Sequence, residues 1–155
     1  RAAGLCRHIG VSNYDADLLE ELQASARELP AADQIEFHPR FQAQGTVEAC
    51  RRLGIAVMGY GSGLSMGSQP VRRIAEARSA SPAQVALRWV LQMGAAGIVR
   101  SSRRAGMAEN LAAARLPPLQ EEEMEALRGI DEGQAFYWDP SALAGGPGSG
   151  ERLEM

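Results

Sequence analysis

The stretch LCRHIGVSNYDADLLEELQASAREL, residues 5–29, decides the fold. Its opening part, 6–11, is a short apolar run of the buried-strand kind that stops at Ser12 and Asn13. From Asp15 the pattern changes: Leu18, Leu19, Leu22, Ala26 and Leu29 recur at helical spacing as far as Pro30. A strand running straight into an amphipathic helix is one βα unit, and the unit recurs downstream. Residues 32–37 read as a strand, 44–54 as a helix closed by Gly54, and 55–60 as a strand rich in buried types. Beyond the Gly/Ser loop GSGLSMGSQ, 61–69, helices are expected over 71–78 and 81–94, the latter started by Ser81 with Pro82 and stopped by Gly94. A fourth short strand at 97–99, a helix over 106–116 and an amphipathic helix over 119–130 follow.

Strands alternating with helices imply a parallel sheet covered by helices, either doubly wound or a (β/α)8 barrel. Unit spacings of roughly 20 to 40 residues fit a barrel, whose complete form takes about 250 residues. Four units are half of one, and the chain opens on Arg1 almost directly into a strand, so a piece of a longer chain is expected. The final stretch SALAGGPGSGERLEM, 141–155, clusters Gly, Ser and Pro without an apolar period and reads as a tail. The expected division is a partial barrel domain over 1–133 and a C-terminal loop with a disordered tail over 134–155.

At 155 residues and 45% hydrophobic, the chain can bury a real core, and its net charge of −3 marks no polyanionic partner. All 16 basic residues are Arg, so Schiff-base or P-loop lysine chemistry is excluded within these residues. Scattered basic charge and few aromatics argue against a nucleic-acid partner, and no run approaches the roughly 18 apolar residues of a membrane span. The expected location is the cytoplasm, and the oligomeric state is left open. Cys6 and Cys50 have neither metal-ligand nor redox spacing and are expected to be reduced thiols.

Ligands of parallel α/β sheets and barrels bind where the strands run out at their C-terminal ends. Each strand here ends in groups suited to holding something. The first ends in Ser12 and Asn13, and the second carries Gln34, which either meets a ligand or satisfies a neighbouring backbone group. The third ends in Tyr60, Gly61, Ser62 and Gly63, a loop permissive enough for a phosphate to approach its backbone, although Tyr60 taken alone is more often a core residue. The fourth ends in Arg100, Ser101 and Ser102, with Arg103 and Arg104 just beyond; the alternative account of that cluster is an ordinary solvated helix start.

Taken together, IGVSNY (9–14), DQIEFHP (33–39), MGYGSG (58–63) and IVRSS (98–102) followed by AEN (108–110) resemble the C-terminal half of the aldo-keto reductases over about residues 5–133. The resemblance implies the C-terminal half of a (β/α)8 TIM barrel, four βα units plus a C-terminal helix and flexible tail. It also implies an NAD(P)H-dependent oxidoreductase reducing aldehydes or ketones to alcohols, with a small-molecule carbonyl substrate and NADPH as the usual cofactor, NADH being possible. Ser12, Asn13 and Gln34 would then hydrogen-bond the nicotinamide carboxamide, whose one acceptor and two N–H donors suit hydroxyl and amide partners. Tyr60 would stack on the nicotinamide face, and Gly61 and Ser62 would border the pyrophosphate. Arg100 and Ser101 match positions that hold the 2′-phosphate, and Glu109 and Asn110 match positions around the adenine. The pattern departs at Gly106, where the family usually has another Arg; one charge-assisted contact is worth roughly 1.5–3 kcal/mol, so its loss bears on the preference for NADPH.

The family reduces carbonyls with a Tyr acid helped by Lys, Asp and His on earlier strands. The resemblance therefore gives this chain cofactor contacts but no catalytic residue, and residues 1–155 alone are expected to be inactive. The alternative reading is a non-catalytic nucleotide-binding subunit of the same fold, regulatory or channel-associated. His38 is expected to order its loop, Trp89 to be core and the run 121–125 to be a solvated helix start. FYWDP (136–140) lies where the resemblance implies a C-terminal loop covering part of the substrate pocket, which leaves substrate contact by Tyr137 or Trp138 as the lesser of the readings open for them.

Overall fold

A computed structural model describes residues 4–137, so Trp138 and the Gly/Ser/Pro-rich end lie outside the described residues. Four strands, β1 (Gly10–Ser12), β2 (Ala32–Glu36), β3 (Ala56–Tyr60) and β4 (Ala96–Gly97), form one parallel sheet in sequence order. The helices between and after them are α1 (Ala16–Ser25), α2 (Gln44–Leu53), α3 (Gln69–Ala77), α4 (Pro82–Gln92), α5 (Arg104–Ala113) and α6 (Glu121–Arg128), with a 3-10 turn over Ser62–Ser65.

Local chemistry sets most of the boundaries. Asp15 caps α1 by accepting the Leu18 N–H at 2.9 Å, and α4 opens on a full capping box between Ser81 and Gln84 with Pro82 in its first turn. Gly54 closes α2 at φ +70°, a conformation that costs glycine little. Helix α1 ends at Ser25, short of the expected residue 29: the Ser25 hydroxyl bonds back to the Glu21 carbonyl, and Ala26 is already extended. Strand β1 is likewise shorter than expected and displaced: among the described residues it pairs with β2 alone, in a ladder that begins at Gly10 and Ala32, and residues 4–10 are exposed.

Alternation along β2 sorts its side chains. Ile35 and Phe37 enter the main core with Val71, Val85, Trp89, Val90 and Leu127, and the rings of Phe37 and Trp89 lie 4.9 Å apart. A second cluster joins Leu19, Ala49, Cys50 and Ile55. The intervening residues Gln34 and Glu36 therefore point away from the helices, and the register Ser12↔Gln34↔Met58 and Glu36↔Tyr60 puts Ser12 and Tyr60 on the same face. Polar groups from three strands thus collect on the face turned away from the helices.

The sheet meets α4 closely at Gly97, where a Cβ would fall 2.3 Å from Leu87 Cδ1. Gly97→Val is expected to lower the unfolding free energy by about 1–3 kcal/mol, since the buried Leu87 must change rotamer or the helix must withdraw. A urea midpoint that does not move would show that Leu87 yields freely.

Candidate functional site

Beyond the C-terminal ends of β3 and β4 lies a cleft of about 1000 Å³. Tyr60, Gly61, Ser62, Arg100, Ser101, Glu109 and Asn110 all line it, so seven of the ten residues anticipated from sequence meet in one place. Its wall is completed by residues that sequence reasoning did not single out, among them Met66, Pro82, Ile98 and Val99. These are apolar and carry no chemical signature; Met66 comes from the 3-10 turn after β3, Pro82 from the start of α4, and Ile98 and Val99 from the segment after β4.

Asn13, Ser12 and Gln34 stand beside the cleft rather than in its lining. The turn after β1 folds onto β2: the Asn13 N–H and the Ser12 hydroxyl both donate to the Gln34 carbonyl, at 2.9 and 2.8 Å. Asn13 has φ +58°, a left-handed conformation that asparagine tolerates better than most side chains. That conformation brings its side-chain Oδ1 to the Tyr60 hydroxyl, which donates to it at 2.9 Å. Burial pushes the Tyr60 pKa up, with Glu36 and Tyr137 adding to it, so the hydroxyl remains a donor at neutral pH. Asn13 and Tyr60 are therefore coupled, and the amide nitrogen of Asn13 keeps its two N–H donors.

At the far end, the exposed Arg100 is followed by Ser101, whose Oγ donates to the Arg103 carbonyl at 3.1 Å and accepts the Arg103 N–H at 3.3 Å. That Oγ lies 2.4 Å from the place a Cβ on Gly106 would occupy. Gly106 is buried at the start of α5, and its lack of a side chain is what admits the Ser101 hydroxyl there. The Glu109 carbonyl is held by the Gln84 side chain at 3.3 Å, which ties α5 to α4.

His38 is wholly buried, with Nε2 at 2.9 Å from Glu36 Oε1 and Nδ1 at 3.3 Å from Ser65 Oγ. Burial pulls its pKa below the usual histidine range despite the opposing pull of Glu36, and a ring engaged at both nitrogens is fixed in place. Trp89 is core, 1% exposed. Cys6 is exposed and Cys50 buried, and both are free thiols. Among the described residues no helix is long and apolar enough to cross a membrane, and no group of three or more metal-ligating side chains forms.

Comparison with known proteins fits this arrangement. The model of the Aldo/keto reductase family matches residues 1–69 and 62–132. An aldo-keto reductase of Mycolicibacterium vanbaalenii is 37% identical over 145 residues, covering 92% of this chain and 52% of that protein. A probable NAD(P)H-dependent D-xylose reductase of Emericella nidulans is 37% identical over 155 residues, covering 89% of this chain and 48% of that protein. Among solved structures, the aldose reductase of Schistosoma japonicum superposes with a TM-score of 0.83 at 27% identity, covering 94% of this chain and 48% of its own. This chain spans about half the length of the curated relatives it matches, and its four parallel βα units are the C-terminal half of their (β/α)8 barrel. On sequence and architecture alike, the chain belongs to the aldo-keto reductase family of oxidoreductases.

Proposed function

We propose that this chain is the nucleotide-holding half of an NAD(P)H-dependent reductase that converts aldehydes or ketones to alcohols, with NADPH as the preferred donor and NADH as the alternative. The observation that carries this reading is the convergence of the β3 and β4 ends and α5 on one cleft whose Tyr60 is bonded to Asn13. The donor set fits a dinucleotide: a flat ring and amide groups at one end, bare glycine backbone in the middle, and Arg100 at the other.

A bound nicotinamide nucleotide supplies the hydride that reduces the carbonyl carbon. The chain's own residues hold and orient. Tyr60 offers a ring face for stacking, and its hydroxyl fixes the amide of Asn13 so that the free N–H groups can meet a carboxamide oxygen. Gly61, at φ +85°, lies so close to His38 that a Cβ would stand 3.0 Å from its ring, which leaves backbone as the only surface there for a diphosphate to meet. Arg100 supplies charge-assisted donors to the 2′-phosphate, with Ser101, Glu109 and Asn110 around the adenosine. The proton for the nascent alkoxide comes from outside these residues.

The test is a fluorescence titration of the intact protein with NADPH and NADH. Saturable binding is expected, with NADPH the tighter ligand, and Tyr60→Ala should weaken it by about 5- to 150-fold, the range for losing one base–aromatic stack. Failure to bind either nucleotide refutes the proposal. A stronger response to NADH reassigns the donor and removes the phosphate role from Arg100. Binding without carbonyl-dependent oxidation of the nucleotide points instead to the regulatory or channel-associated subunit.

A further inference from the structure

Glu36 closes β2 on the face that carries Tyr60, and it is only 3% exposed. A buried carboxylate is tolerated only when its oxygens are satisfied. Here the partners are the Phe136 N–H, 3.0 Å from both oxygens, the Tyr137 N–H at 2.9 Å from Oε2, and His38 Nε2 at 2.9 Å from Oε1. A carboxylate only accepts, so the imidazole proton sits on Nε2, and Nδ1 accepts from the Ser65 hydroxyl in the 3-10 turn that follows Tyr60 and Gly61. Arg40 reinforces the join: its guanidinium lies 4.4 Å from the centre of the Phe136 ring and donates to Glu132 at 2.5 Å and to the Leu64 carbonyl at 3.1 Å.

These contacts tie a strand end to backbone 100 residues further along the chain. Their outcome is the placement of Tyr137: its ring centre lies 6.0 Å from that of Tyr60, it lines the cleft, and 65% of it is exposed. The backbone at 137 is pinned while the side chain stays available. We infer that Glu36 is a positioning residue, a clasp on the Phe136 and Tyr137 amides that seats Tyr137 as a wall of the cleft beside Tyr60 and so sets which carbonyl compounds are accepted. This rests on reading the cleft as the nicotinamide-nucleotide site. Glu36 touches neither nucleotide nor reacting atoms in that reading, so substrate selection should depend on it and nucleotide binding should not.

The intact protein provides the test, by amide hydrogen exchange, nucleotide titration and carbonyl kinetics. In the wild type, the Phe136 and Tyr137 amides should exchange more slowly than those of Gln134 and Ala135. Glu36→Gln presents an amide donor where the carboxylate accepted, so exchange at both positions should rise about 10- to 100-fold. The nucleotide Kd should stay within about threefold, and the KM for an aldehyde substrate should rise about tenfold or more with a smaller change in kcat. Tyr137→Ala, at an exposed side chain, should reproduce the rise in KM without the change in exchange. If Glu36→Gln does not fold, wild-type protection together with the Tyr137→Ala kinetics decides the matter. Unprotected amides at 136 and 137 overturn the inference, as does an unchanged KM in Tyr137→Ala. Should the wild type bind neither NADPH nor NADH, the nucleotide reading fails, and the clasp still stands or falls on the exchange rates.

Discussion

Trp89→Ala is expected to lower the unfolding free energy by about 3–5 kcal/mol, the range for truncating a buried large aromatic. The indole is the largest fully buried side chain among the described residues, and it packs at 4.9 Å against Phe37, the residue that follows β2. Its removal leaves a cavity between α4 and the sheet, a place that the regular strand pairing cannot close by collapse. The effect reaches the site because Phe37 sits between Glu36 and His38. In urea denaturation, the midpoint should fall sharply with little change in slope. A loss under about 1 kcal/mol would mean that the core relaxes around the gap.

Asp33 yields the second large effect, as a dependence of stability on pH. It lies on the helix side of β2, wholly buried, and neither carboxylate oxygen accepts a hydrogen bond of good geometry from the described residues, although the Tyr14 backbone amide lies close enough to act on it. Burial pushes its pKa from 3.8 to about 6, with the Tyr14 amide opposing and the charge of Asp15 adding. The neighbouring Cys50 thiol is pushed to about 11, chiefly by burial and then by the charge of Asp33. A carboxyl whose folded pKa lies above its unfolded one binds its proton more tightly when folded. Its neutral form is therefore the stable one: full stability is present below about pH 4, falls as pH rises toward about 6, and is reduced by about 3 kcal/mol above that. Glu123, whose pKa is lowered by the hydrogen bond from Arg78, works in the opposite direction and weakens on acidification. Comparison with Asp33→Asn isolates the first effect. The variant should be the more stable protein at pH 7.5, and the gap should shrink or reverse at pH about 4.5. Parallel stability curves for the two proteins would refute a buried, charged Asp33.

The fold was legible because its signals are local and repeated: short apolar runs of the buried-strand kind, and helices with Asp15 or Ser81 at the start and Gly54 or Gly94 at the stop. The edges were less so. Among the described residues β1 and β4 each pair with one strand over two or three positions, and Ser25 ends α1 through a bond that its sequence neighbours do not announce. At the site, strand-end position was enough to assemble Tyr60, Gly61 and Arg100, since a parallel sheet delivers all of its C-terminal ends to one rim, whereas Asn110, inside α5, came only through the family resemblance. The bond between Tyr60 and Asn13 depends on a left-handed turn at Asn13, and that was not readable. Glu36 stands within the quoted motif DQIEFHP, but only the strand register shows it on the face that carries Tyr60. Its partners were not foreseeable, because they are backbone amides of a segment with no periodic signal.

The contact between Ser101 and Gly106 links two positions that lie five residues apart. Any side chain introduced at 106 must first displace a hydroxyl already committed to the Arg103 backbone, so substitutions at the two positions will not combine independently. A descendant of this sequence acquiring an arginine there has an easier route through a smaller residue at 101 than by direct replacement, so the order of acquisition is constrained by one oxygen atom.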